Sequence, residues 1–184
     1  MATRSVVVLL ERRRKTKNGY RFGGRWVYGH WDGYPEGVGL VLSTCYFERE
    51  RAEALIALGD FSALEPFLSP EDAGLPGLPH SFNNPLPLVS IFYGRDRGEE
   101  GTEAKPFSVE LRRPEEILFF LEDEFLALGA EYAYLGVPKG NRVTWLCRGL
   151  EEDEVEDLSL LYPPDPEWRE RNRRRVLLEA LART

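Results

Sequence analysis

Ser5-Val6-Val7-Val8-Leu9-Leu10 is an unbroken apolar run rich in β-branched side chains, and it reads as a buried strand. The basic segment 12–17 carries the chain to Asn18-Gly19, a tight-turn dipeptide, after which 20–28 returns as the partner strand. Gly23-Gly24 interrupts the return strand and marks a bulge. This hairpin leads directly into His30-Trp31-Asp32-Gly33-Tyr34-Pro35-Glu36-Gly37-Val38-Gly39. Glycine gives up more backbone freedom on folding than any other residue, so a stretch this dense in glycine is held for the backbone shape it allows.

Further along the chain, Pro35 with Glu36 predicts a helix start, and Val38, Val41, Leu42 and Cys45 follow at helical spacing. A second helix is expected over 49–58, closed by Gly59-Asp60. From Pro66 to Pro87 prolines and glycines leave no regular element. A strand is expected over 88–93, ending in Gly94-Arg95-Asp96-Arg97-Gly98-Glu99. Residues 114–129 carry the strongest helix pattern, with Pro114 in the first turn and a broad apolar face from Ile117 to Leu128. Strands over 131–137 and 142–148 form a second hairpin. Asp165-Pro166 opens a last helix over 167–182, with pairs expected for Glu167–Arg171 and Glu170–Arg174. The expected fold is α+β: a mainly antiparallel or mixed sheet of about five strands with helices packed on one face. Residues 1–150 are expected to make a single domain, and 151–184 an acidic linker with an appended helix.

Net charge is −7, with 42% hydrophobic and 30% charged residues, which excludes a wholly disordered chain. The charge is polarised. Seven basic and no acidic residues lie between Glu11 and Asp32, whereas six of the seven residues 151–157 are acidic. Cys45 and Cys147 stand far apart in apolar surroundings and are expected to be reduced core thiols of a cytoplasmic protein. The opening Met-Ala-Thr-Arg-Ser-Val lacks a signal peptide's apolar region, and no apolar run is long enough for a membrane span, so no membrane partner is expected. Arg exceeds Lys twenty to four and Gln is absent, a composition that leans toward a thermophile.

The segments His-Trp-Asp-Gly-Tyr-Pro-Glu-Gly-Val-Gly at 30–39, Ala-Leu-Gly-Asp-Phe-Ser-Ala-Leu at 57–64, His-Ser-Phe-Asn-Asn-Pro at 80–85 and Tyr-Gly-Arg-Asp-Arg-Gly-Glu at 93–99 carry a resemblance. In their order and spacing they resemble a family of uncharacterised phage, prophage and bacterial proteins, over residues 3–148. The resemblance implies a common fold. It brings no assigned activity and therefore no catalytic residue.

His30, Asp32 and Tyr34 admit two readings. One is a polar constellation at a strand end, with His30 a base or metal ligand oriented by a carboxylate. The other is a turn in which Asp32 bonds downstream amides, Gly33 takes positive φ and Tyr34-Pro35 pins the loop. Gly37 and Gly39 lack the Lys-Ser/Thr of a phosphate-binding loop, and close helix packing explains them better. Arg95 and Arg97 would point the same way if the strand continued through them, a fork suited to phosphate or carboxylate; the alternative is a loop neutralised by Asp96 and Glu99. The basic hairpin, with Tyr20, Phe22 and Trp26 interleaved, is either a single-stranded nucleic acid surface or a solvated hairpin whose aromatics face the core.

The function expected from these residues is a non-enzymatic, phage-type accessory module that binds a phosphate-bearing ligand or a host protein. Its ligand-binding residues would be His30, Asp32, Tyr34, His80, Arg95, Asp96 and Arg97, with no cofactor and no metal. Nucleotides, nucleic acid and host proteins are the partner classes. The rival is a metal-dependent hydrolase or nuclease using His30, Asp32, His80 and Asp96. The decisive question is whether these side chains meet in space.

Overall fold

Strand β1, Ser5–Lys15, has Val6 through Leu9 with no exposed surface, because both faces of the sheet are covered there. Val7 and Leu9 pack with Val38, Leu42, Leu55 and Ile56, while Val6, Val8 and Leu10 pack with Ile117, Leu118 and Phe125. A continuous apolar run, rather than an alternating one, is what a strand buried on both sides requires. The structure, a computed structural model, describes residues 2–182.

β1 pairs antiparallel with β2, Tyr20–Gly29. Two strands share the far edge of β2. β3, Phe61–Ala63, meets it at Gly29, and β5, Lys105–Leu111, runs antiparallel along 20–26. β4, Ile91–Phe92, lies outside β3. On its other side β1 pairs in parallel with β6, Tyr132–Lys139, followed by β7, Arg142–Gly149, and β8, Glu156–Asp157. The fold is α+β with a mixed sheet of eight strands, not five. The missed strands are short or carry anti-strand residues: β3 has three residues, β8 is two acids, and β5 contains Pro106.

Helices cover both faces, which corrects the expectation of one. A π turn at Pro35–Gly39 runs into α1, Leu40–Cys45, and with α2, Arg49–Ala57, this covers one face. The predicted 114–129 helix takes the other face, as a 3₁₀ turn Pro114–Glu116 and helices α4, Ile117–Phe120, and α5, Glu122–Ala127. Residues 93–97 are helical as α3, Tyr93–Arg97, rather than a continued strand. Short α6, Leu158–Leu161, joins the first core. In α7, Trp168–Leu181, Val176 and Ala180 form a third core with Phe67, Ala73 and Leu75 of the proline-rich stretch and with Val89 just after it. Glu167 pairs with Arg171 as expected, whereas Glu170 pairs with Arg173 and not Arg174. Among the described residues no helix is long and apolar enough to cross a membrane.

The register of the first hairpin slips between Leu10 and Arg12, opposite Gly24 and Gly23. A Cβ on Gly24 would lie 2.0 Å from the Leu9 carbonyl oxygen, so the strands approach there only through glycine. The extra residue reverses the alternation of β1. Beyond it Arg13 stacks on Tyr20 and Phe22, 4.0 and 5.8 Å from their ring centres, while Arg12 and Arg14 turn to the opposite face.

Candidate ligand-binding surface

The 30–39 stretch is first of all a tight turn. The His30 and Trp31 amides donate to the carbonyls of Phe61 and Ser62, at 3.1 and 3.0 Å, which extends β2 past its last residue. Asp32 then reverses the chain with φ 55°; it, and not Gly33, holds the left-handed conformation. Its carbonyl accepts the Val38 amide at 2.8 Å, and the Gly33 carbonyl accepts the buried Tyr134 hydroxyl at 2.7 Å. The Asp32 carboxylate does not bond downstream amides. It accepts the Tyr34 hydroxyl at 3.2 Å, and its negative charge holds the pKa of that phenol above the ordinary value. The glycines serve close packing, since Gly37 abuts the Asp32 carbonyl and Gly39 the Tyr134 ring.

On the face of β2 shared with Trp26, Tyr28 and His30 come next by strand alternation. Tyr28 Oη and His30 Nδ1 are hydrogen-bonded at 2.9 Å, and the Trp31 ring stands edge-on to the imidazole at 4.9 Å. Burial holds the His30 imidazole below its ordinary value, and the positive charges of Arg4 and Arg97 add to the effect. Burial likewise raises the Tyr28 and Tyr93 phenols, which lie within electrostatic reach of each other and of Arg4. Arg97 lies 4.6 Å from the Tyr93 ring centre and 4.3 Å from that of Phe82, and pairs with Glu99 at 2.7 Å. Trp31, beside His30, and Phe82, beside Arg97, are exposed at 45% and 40%. Asp60 accepts the Tyr28 amide at 2.7 Å and pairs with Lys105 at 2.9 Å, which ties β2 to the start of β5.

The other predicted residues lie together, with the His80 and Asp96 side chains turned inward and Arg95 tied to them. His80 is 2% exposed; its Nδ1 accepts the Leu86 amide at 3.0 Å, so the ring proton sits on Nε2, which donates to the Ser90 carbonyl at 3.1 Å. Asp96 is 4% exposed; it accepts the Phe92 amide at 2.7 Å and both the Nε and one terminal nitrogen of Arg95, each at 2.7 Å. Arg95 also donates to the carbonyls of Leu68 and Ser90. Because residues 93–97 are helical, Arg95 and Arg97 diverge instead of forming a fork. Replacing His80 with alanine is expected to cost about 2 kcal/mol in a denaturant melt by orphaning the Leu86 amide, and to leave ligand binding untouched.

The recess is rich in cations, phenols and one imidazole without a nucleophile beside it. Both cysteines are buried free thiols; burial raises Cys45 and pushes Cys147 up to about 12. Among the described residues no group of three or more His, Cys, Asp and Glu side chains is placed to hold a metal ion. Sequence reading found His30 and Arg97 but missed Arg4, Tyr28 and Tyr93. The first two follow from the hairpin register, in which Ser5 faces Gly29. Compared with family models, curated proteins and solved structures, the chain matches none.

Proposed function

We propose that the chain is a non-enzymatic accessory binding module, of the phage and bacterial kind its motifs resemble, and that it takes a phosphate-bearing ligand at the Arg4–His30–Arg97 recess. The observation that supports this is that the positive charges of Arg4 and Arg97 both disfavour protonation of one partly open imidazole. Such a set disfavours a cation and welcomes an anion. Trp31 and Phe82 supply exposed π faces on which a base or other planar group stacks, so a nucleotide fits better than bare phosphate.

Calorimetric titration with a panel of nucleoside mono-, di- and triphosphates tests this. One or more members should bind, and Arg97→Ala or Trp31→Ala should weaken that binding at least tenfold with the melting temperature nearly unchanged. An anion favours imidazolium, so affinity should rise as pH falls below His30's ordinary range of about 6.5, and His30→Asn should remove that rise. No binding by any member at millimolar concentration would overturn the proposal.

A further inference from the structure

At the opposite end of β2 the chain carries a second cationic surface. β1 ends there at Lys15, β5 ends there because Leu111 faces Tyr20, and β6 ends there because it runs parallel to β1. The acids of this end are engaged: Glu11 with Arg25, Glu110 with Arg21 and the Thr16 hydroxyl, Glu115 and Glu116 with Arg113. Among the described residues Arg12, Arg14, Lys15, Lys17, Arg112 and Lys139 have no ion-pair partner. In a chain of net charge −7, this concentration of unpaired cations at one end runs against the whole.

The geometry sharpens the case. Arg14 faces Arg21 directly across the hairpin, a like-charge pair that weakens a sheet unless an anion lies over it. The bulge turns Arg12 and Arg14 to this same face, two residues apart, at a spacing comparable to that of neighbouring phosphates. With Arg21, Phe22, Gly23 and Ser108 they line a shallow groove of about 250 Å³. Tyr20, Phe22 and Trp26 pack into the core, and Phe22, which backs this groove, has no exposed surface, so the groove offers no open ring for base stacking. Contacts made here are therefore to the backbone of a nucleic acid and not to its bases, and unstacked bases give no advantage.

We propose that the bulged end of the β1–β2 hairpin binds the phosphate backbone of duplex nucleic acid, without regard to sequence and independently of the Arg4–His30–Arg97 recess. Fluorescence anisotropy with the full chain and a short labelled DNA duplex of arbitrary sequence tests it. Binding should weaken about a hundredfold between about 50 and 200 mM salt, as expected for roughly four phosphate contacts. The double variant Arg12→Ser/Arg14→Ser should lower the salt slope by about two. Arg14→Glu should weaken binding at least tenfold while raising the melting temperature by about 1–3 °C, because it removes the facing like charges. Arg97→Ala, at the far end of the sheet, should bind the duplex as the parent does. Failure to bind at the lower salt, salt-independent binding, variants that bind like the parent, or a single strand preferred more than tenfold would each overturn the proposal.

Discussion

A Gly37→Ala variant is expected to lose about 2–4 kcal/mol of stability, a fall of about 5–12 °C in melting temperature. A Cβ built on Gly37 lies 2.2 Å from the Asp32 carbonyl oxygen and 3.1 Å from its carbon. Both are backbone atoms of a residue already held at φ 55°, so no side-chain rotation relieves the contact. That oxygen must swing away, which breaks its bond to the Val38 amide and disturbs the neighbouring Gly33 carbonyl on which the Tyr134 hydroxyl rests. Alanine recovers at most about 1 kcal/mol through its better helix propensity. Glu36→Ala, one residue away and exposed, should move stability by no more than about 0.5 kcal/mol. Thermal melts of the two variants decide the matter; a Gly37→Ala protein as stable as the parent would show that the turn yields easily.

Glu65→Gln is expected to stabilise the protein by about 2 kcal/mol above pH 7 and to change nothing near pH 4.5. Burial, and then the nearby charge of Asp32, push the Glu65 carboxyl up to about 7 from an ordinary 4.5. The folded state therefore favours the protonated form. Its contribution is complete below the unfolded value of 4.5 and is lost as pH rises through about 7, opposite to the usual behaviour of a paired carboxylate. Glutamine keeps the neutral shape at every pH. Urea melts of parent and variant at about pH 5, 6, 7 and 8 should diverge progressively; parallel profiles would refute the assignment.

The two hairpins, the helix starts at Pro35 and Pro114 and the buried first strand were legible because each depends on neighbouring residues alone. The unbroken run 5–10 also implied that both faces are covered, an inference the one-face expectation left unused. β3 and β8 were not legible, since two or three residues become a strand only when a partner edge presents itself, and in β5 Pro106 masked a seven-residue strand. The misplacement of Arg95, Asp96 and His80 has a local cause. Asp96 reaches back to the Phe92 amide, as the acid of a capping box does, and turns the segment into α3 where a continued strand was expected. His30 and Arg97 were found from motif density, whereas Arg4 and Tyr93 reach the recess only through the hairpin register and the docking of α3.

The parallel pairing of β1 with β6 also sets the order of events during synthesis. The most apolar strand is made first, yet its partner begins at Tyr132 and the cover for its second face at Ile117. At about 5–20 residues per second, roughly 6–25 seconds separate Leu10 from Leu135 on the ribosome. Through that interval the nascent chain presents one unpaired edge and one bare apolar face. Loop closure over so many residues makes the pairing slow even afterward. A fragment ending at Leu111 should therefore stay unfolded and aggregate, and the full chain should depend on holding chaperones for its yield more than its final stability suggests.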